Sequence, residues 1–247
     1  MGEAEISLAP KEGGMTTEAK AYYKDYWTGE AAERDKRAYY ERLYGRIAHK
    51  LRPAECARVL DVAGGNGQFM RYLGVKDADI IDISESGIEA AARSGYRARL
   101  ADIETRFPFE PGTFDAAYCF EVLEHLQRPN KTLTEIHNVL KSDGVLYLGQ
   151  PNMRADGTHH VRRYYLKPLL SDLEKCGFLV EWIDYVPAYS MRDAIVSDIR
   201  NNPSFLRRII QCVNLALSFL PRRVRYRMAR LLPDRFALLF VLKAVKK

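Results

Sequence analysis

The sequence Val-Leu-Asp-Val-Ala-Gly-Gly-Asn-Gly, residues 59–67, is the stretch that predicts the fold. Its first half is a short and mostly apolar run, as expected for a buried strand of a parallel sheet. Its second half is a glycine-rich turn that leads into a helical pattern over residues 68–74. Glycines at such a turn let the backbone approach a ligand closely and leave helix N–H groups facing it. The order of strand, turn and helix therefore indicates a nucleotide-binding α/β unit.

Strands and helices alternate from this unit almost to the end of the chain. Further strands are predicted at residues 79–83, 96–100, 114–120, 144–150, 178–185 and 236–244, and further helices at 85–93, 123–139 and 166–176. The alternation predicts an α/β fold in which a seven-stranded, mostly parallel sheet is covered by helices on both faces.

Composition excludes several classes of protein. Of the 247 residues, 47% are hydrophobic and 28% are charged, which are ordinary globular proportions and argue against a disordered chain or a membrane-embedded bundle. The four cysteines lie far apart with no C-x-x-C pair, so neither a disulfide framework nor a zinc finger is expected. The apolar run at residues 209–220 is too short and too polar to span a bilayer. These features favour a reduced, cytoplasmic location.

The chain divides into five segments by pattern. We predict a loose N-terminal tail at residues 1–16, a tyrosine-rich helical cap at 17–54 and a core at 55–189. A basic helical insertion or lid follows at 190–235, and the last strand of the core occupies 236–247.

Five features in a fixed order give the core a family resemblance. They are Val59–Gly67, Asp82 at seventeen residues past Gly65, Ala101-Asp102-Ile103, Phe114-Asp115 and Leu140–Gly144. In this order they resemble the class I S-adenosylmethionine (SAM)-dependent methyltransferases over about residues 55–187. The resemblance implies a Rossmann-like sheet whose last strand is antiparallel. A dinucleotide dehydrogenase would instead carry G-x-G-x-x-G and lack that strand.

The same resemblance implies SAM as the cofactor and assigns residues to it. Asp61 and the turn would hold its methionine part; the turn residues are Ala63, Gly64, Gly65 and Gly67. Asp82, with Ile83 beside it, would bind the ribose, and Asp102 with Ile103 would contact the adenine. Ala63 stands where the family usually has its first glycine, and we expect it at negative φ. Asp102 has an alternative role as a turn cap before Pro108.

A second group of polar residues follows the fourth and fifth strands. Glu121-Val122-Leu123-Glu124-His125 comes after the fourth strand; if a helix begins there, Glu121, Glu124 and His125 share one face. Two carboxylates and an imidazole on one face form a potential metal site. Gly157-Thr158-His159-His160 lies just past the fifth strand and projects from the same edge of the sheet.

These two blocks resemble the ubiquinone-biosynthesis O-methyltransferases and, more loosely, the small-RNA 2′-O-methyltransferases. The resemblance implies Mg²⁺ or another divalent cation against the acceptor oxygens, and Glu121 also borders the cofactor. The implied metal ligands are Glu121, Glu124, His125 and His159, with the register between His159 and His160 open by one position. In the alternative without a metal, His125, His159 or His160 acts as general base or positions the acceptor.

The insertion allows three interpretations. Residues 190–235 contain ten arginines and three aspartates. They could form a lid packed on the core, an interfacial helix pair that places 203–232 on an anionic membrane, or a nucleic-acid-binding surface. The last is the least favoured, because no recognised RNA-binding module accompanies the arginines.

The prediction is therefore a cytoplasmic SAM-dependent O-methyltransferase, peripheral at the inner membrane face if 203–232 binds there. Its acceptor would be a hydroxyl on a small molecule, a sugar or a lipid-linked intermediate. The alternatives are an N-methyltransferase without metal, an RNA 2′-O-methyltransferase and a non-catalytic SAM-binding protein.

Overall fold

A computed structural model describes residues 17–24, 26, 36–152, 160–187, 220–231, 233 and 237–247. Seven strands form one sheet: β1 Val59–Val62, β2 Ala78–Asp82, β3 Arg97–Leu100, β4 Phe114–Phe120, β5 Leu140–Pro151, β6 Phe178–Pro187 and β7 Ala237–Lys246. Its described α-helices are α1 Thr17–Lys24, α2 Arg37–Tyr44, α3 Gln68–Leu73, α4 Glu85–Arg93, α5 Pro129–Val139, α6 Leu166–Lys175 and α7 Arg222–Leu231.

The strand order is β3-β2-β1-β4-β5-β7-β6. Neighbours from β3 to β5 pair in parallel, whereas β7 runs antiparallel to both β5 and β6. The predicted seven-stranded, Rossmann-like α/β sheet with an antiparallel last strand is confirmed. Its chain order reverses between β1 and β4, which is where open α/β sheets bind ligands beyond the carboxyl ends of their strands.

Side chains that alternate along β1 build a hydrophobic core on each face of the sheet. Leu60 and Val62 pack with residues of α5 and α6, such as Ile136 and Leu173. Val59 packs on the opposite face with residues of α2, α3 and α4. All four residues of β1 and all five of β2 are buried, which explains why most of their residues are apolar.

No helix begins at Glu121, so the condition for Glu121, Glu124 and His125 to share a helix face is not met, and of the predicted helix at 123–139 the α-helix covers only Pro129–Val139. Glu121 continues the β4 ladder, since its N–H donates to the Gly149 carbonyl at 2.8 Å, and it then turns with φ of +58°. Residues Leu123–His125 form only a short 3₁₀ turn. Helix α5 begins at Pro129, six residues after Leu123. Proline is favourable at the first position of a helix, because an N–H group there would have no partner within the helix.

The terminal segments are described in part. Helices α1 and α2 lie within the predicted cap, and α7 lies within the predicted insertion. Helix α7 packs against β6, and its Ala229 is fully buried in the core. None of the helices within the described ranges has the length and apolar character needed to cross a membrane.

Ser84 ties α4 to α1 and provides the first testable prediction. Its Oγ accepts the Gly87 N–H at 3.2 Å and donates to the Lys24 carbonyl at 2.9 Å. Loss of this N-cap in Ser84→Ala should reduce the free energy of unfolding by about 1 kcal/mol, measured by urea denaturation followed by circular dichroism. Ser94→Ala, at the exposed end of the same helix, is the control and should cost less than about 0.5 kcal/mol. Equal losses would contradict the assigned cap.

Candidate functional site

A cavity of about 670 Å³ opens at the carboxyl edge of the sheet. Its floor is formed by residues that follow β1, β2, β3 and β4, and its other walls come from α1, α2 and the start of β7. The predicted cofactor residues that line it are Asp61, Ala63, Gly64, Asp82, Ile83, Asp102, Ile103 and Glu121. The strand ends meet here because parallel strands present their carboxyl ends to one side.

The turn after β1 is built by close backbone packing. A Cβ on Gly64 would lie 2.4 Å from Asp61 Oδ2, and a Cβ on Gly67 would lie 2.9 Å from Ile80 and Tyr96. Gly67 also has φ of +74°. Gly65 and Gly67 shape the turn without lining the cavity themselves.

The backbone conformation of Ala63 differs from the prediction. It lies in the left-handed region with φ of +57°, so the predicted negative φ is wrong. The turn itself requires this conformation, which explains why glycine is favourable at such a position. Alanine is strained there by about 1 kcal/mol.

Asp61 is a buried carboxylate with spare bonding capacity. Its Oδ2 has no hydrogen-bond partner among the residues that the structure describes. Burial, and secondarily the charge of Asp82, raises the pKa of Asp61 to about 8. A cationic group of a ligand would satisfy this oxygen and favour its ionised form. The site therefore fits the amino end of the methionine part of SAM.

Asp82 holds the turn and faces the cavity. Its two carboxylate oxygens accept the N–H groups of Gly65 and Ser84, each at 2.8 Å. Burial raises the pKa of Asp82, while these amide hydrogen bonds lower it. Each carboxylate oxygen can accept a further hydrogen bond, so Asp82 suits the hydroxyl pair of a ribose.

Asp102 caps a turn and also lies in the wall of the cavity. Its Oδ1 accepts the Glu104 N–H at 3.0 Å, which makes it a turn cap. Asp102 and Ile103 also line the cavity. Contact with an adenine ring stays a prediction.

Glu121 has partners that the sequence did not indicate. Tyr39 and Tyr44 of α2 donate their hydroxyls to its two oxygens, each at 2.7 Å. Burial raises the pKa of both tyrosines, which keeps them neutral donors. Glu121 is absent from the group of potential ligands found among the described residues, so its assignment as a metal ligand is not supported by the geometry.

Glu124, His125 and His160 converge at one end of the cavity. One ligand atom from each lies within 4.8 Å of the others. His125 Nε2 is 3.5 Å from Glu124 Oε1, and its Nδ1 is 2.8 Å from the Tyr23 hydroxyl. Three atoms of these types in this arrangement can hold a divalent cation. His159, Gly157 and Thr158 lie outside the described residues, so of the two candidate histidines the structure describes His160.

Glu124 accepts a hydrogen bond from Gln150. The buried Gln150 amide donates to Glu124 Oε2 at 3.2 Å. Burial is the main cause that raises the pKa of Glu124 to about 8. A nearby cation would therefore displace a proton from this carboxyl group.

Several contributors were missed by sequence reasoning. Gln150 stands at the carboxyl end of β5, and this edge position was a signal that could have identified it. Tyr39 and Tyr44 had no signal beyond the tyrosine-rich composition of the cap. Tyr22, Tyr23 and Tyr26 also line the cavity.

Comparisons with known proteins show a similarity to methyltransferases. Residues 60–148 match a family model described as a methyltransferase domain. The chain is similar to the ubiquinone biosynthesis O-methyltransferase of Dechloromonas aromatica, with 32% identity over 103 residues, which are 38% of this chain and 44% of that protein. The chain spans about half the length of the curated relatives it matches.

Two solved structures share the fold. A methyltransferase in complex with the Haloferax volcanii Trm112 activator aligns with a TM-score of 0.59 and 18% identity, over 92% of this chain and 97% of that one. The [4+2]-cyclase SpnF aligns with a TM-score of 0.55 and 18% identity, over 83% and 80%. Because one of these proteins is a cyclase, the fold alone does not define the reaction.

Binding of S-adenosylhomocysteine should depend on pH through Asp61. Asp61 is mostly protonated below pH 8, and the ligand's ammonium group favours the ionised carboxylate. Affinity should therefore increase as the pH rises towards 8, by up to about tenfold per unit, with proton release. Calorimetry in buffers of different ionisation enthalpy measures both quantities. Asp61→Asn is the control and should bind weakly with no proton release; an unchanged pH profile in that variant would contradict the assignment.

Ala63→Gly should stabilise the protein. Relief of the left-handed alanine is expected to raise the free energy of unfolding by up to about 1 kcal/mol, in spite of the greater chain entropy of glycine. The comparison is Ala90→Gly inside α4, which should lower it by about 1 kcal/mol. Thermal denaturation of both variants checks these opposite signs, and destabilisation by both would disprove strain at Ala63.

Proposed function

We propose that this chain, a class I SAM-dependent methyltransferase by its sequence and fold, methylates a hydroxyl oxygen of a small-molecule, sugar or lipid-linked acceptor. The observation that carries the proposal is the convergence of Glu124, His125 and His160 in the cavity that Asp61 and Asp82 also line. Cofactor residues and proton-handling residues therefore share one enclosed space. The relative named above and a further one from Penicillium expansum are O-methyltransferases by name, which supports an oxygen acceptor.

The chain's task is to position the acceptor and weaken its O–H bond. SAM, the cofactor of this family, supplies an already activated methyl group when bound. The residues at the glycine turn bind and orient the cofactor, and the tyrosines of α1 and α2 exclude water above it. The acceptor proton must also be removed, and the group formed by Glu124, His125 and His160 is suited to this step.

Glu124, His125 and His160 would hold a divalent cation. Such a cation would lower the pKa of a hydroxyl group that contacts it. The Gln150 amide orients Glu124 through a hydrogen bond, and the Tyr23 hydroxyl orients the His125 ring in the same way. Outer partners of this kind commonly fix the orientation of metal ligands.

The same residues support a second candidate, a general base without metal. The Tyr23 hydroxyl lies 2.8 Å from His125 Nδ1 and 3.3 Å from its Nε2, and Nε2 is 3.5 Å from Glu124 Oε1. A carboxylate beside an imidazole orients the ring, which is a feature of catalytic bases. In this variant of the proposal the cation is absent and the acceptor proton passes to a histidine.

Titration of Mg²⁺ and then Mn²⁺ into protein saturated with S-adenosylhomocysteine separates the two candidates. We expect stoichiometric binding in the wild type and at least tenfold weaker binding in Glu124→Gln and in His160→Ala, since each loses one of three ligands. Glu110→Gln is the matched control, because Glu110 is exposed and is not among the residues that line the cavity, and it should retain the wild-type affinity. No binding in the wild type, with activity unaffected by chelator, would favour the histidine base.

The nature of the acceptor atom needs its own test. Release of S-adenosylhomocysteine should be measured with pairs of aromatic acceptors that differ only in a hydroxyl or an amino group. The proposal predicts turnover of the hydroxyl members. Turnover of the amino members alone would indicate an N-methyltransferase, and cofactor binding without any turnover across a broad panel would favour a binding protein.

A further inference from the structure

The described helix of the basic segment, α7, presents a charged and partly apolar face to solvent. Its exposed side chains are Arg223, Val224, Arg227, Arg230 and Leu231. At 3.6 residues per turn these five positions fall within one arc of about 120°. No acidic residue occurs in the helix, whose sequence is RRVRYRMARL. We refer to this arc as the basic face.

The opposite side of α7 is anchored to the rest of the protein. Ala229 is fully buried in the core, and the Tyr226 ring lies under the Arg46 guanidinium at 4.0 Å from its carbon. These contacts set the rotation of the helix about its axis. Leu231 is consequently 78% exposed and Val224 is 39% exposed.

We propose that the basic face binds the surface of an anionic lipid bilayer. Around the helix the order is Arg230, Arg223, Arg227, Leu231 and Val224, so the cationic side adjoins an apolar side. A helix lying in a membrane interface needs this combination, because its arginines meet lipid phosphates while its apolar side chains enter the acyl boundary. Charge complementarity and two exposed apolar side chains thus point to the same partner.

A nucleic acid fits the basic face less well. Proteins that bind single strands stack bases on exposed aromatic rings, and the aromatic residue of α7, Tyr226, is covered by Arg46. A phosphate backbone would neutralise the arginines but would leave Leu231 and Val224 in water. The membrane satisfies both parts of the face.

The C-terminal end of α7 lies close to the cavity. The Asn152 amide donates to the Pro233 carbonyl at 3.3 Å and to the Ala237 carbonyl at 3.0 Å, which ties the chain after α7 to the end of β5. Pro151 and Leu238 on either side of this junction line the cavity. A bilayer bound to α7 would therefore lie beside the site, and a lipid-linked acceptor could enter from it. This last step rests on the proposed function.

Vesicle sedimentation with the full chain tests the inference. We expect binding to vesicles of phosphatidylglycerol and phosphatidylcholine, and no binding to pure phosphatidylcholine. Reversal of three charges, in Arg223→Glu/Arg227→Glu/Arg230→Glu, should weaken binding about 100-fold, at about fivefold or more for each arginine. Val224→Ser/Leu231→Ser keeps every charge and should weaken binding about tenfold through the lost apolar contacts.

A matched control distinguishes the basic face from net charge. Arg93→Glu/Arg106→Glu/Lys131→Glu changes the charge equally at exposed positions elsewhere and should bind vesicles nearly as well as the wild type. Equal loss in this control, no wild-type binding to anionic vesicles, or tighter binding to single-stranded RNA than to vesicles at the same salt concentration would overturn the inference. Calorimetry with S-adenosylhomocysteine monitors the fold of each variant and separates failure of this inference from failure of the proposed function.

Discussion

The hydrogen bond from the Gly65 N–H to the Asp82 carboxylate is the interaction on which the site depends. It is buried, it measures 2.8 Å, and it joins the turn after β1 to the end of β2. By drawing the turn towards β2 it places Gly64 against the Asp61 carboxylate, so closely that any side chain there would collide. The result is a carboxylate enclosed by backbone, with one oxygen directed to no protein partner among the described residues.

Burial has opposite consequences for stability and for binding at this site. Because the pKa values of Asp61 and Glu124 are raised to about 8, the folded protein keeps protons that the unfolded chain releases near pH 4. The stability contributed by these groups is therefore full below the unfolded pKa and declines as the pH rises towards 8. A cationic ligand that binds beside either carboxyl group would displace its proton. Groups with pKa values perturbed in this way are common at functional sites.

The N-terminal tyrosines connect two halves of the cavity. Tyr39 and Tyr44 hold Glu121, while Tyr23 holds His125 in the group that it forms with Glu124 and His160. Since α1 is also tied to the rim through Ser84, the cap is part of the site as well as a cover for it. The family model matches residues 60–148, so the tyrosines lie outside the matched segment, whereas Glu121 and His125, which they contact, lie inside it.

The alternation of strands and helices, the glycine turn and the acidic residues at three strand ends could be predicted from the sequence, because buried parallel strands and tight turns demand particular residues locally. Glu124 and His125, which are adjacent in the chain, could be predicted as well. Three features became evident in the folded structure alone: Glu121 pairs with tyrosines 77 and 82 residues away, Ala63 is left-handed, and Gln150 donates a hydrogen bond to Glu124. These features depend on packing between strands and helices that are distant in the sequence. No local sequence pattern therefore predicts them.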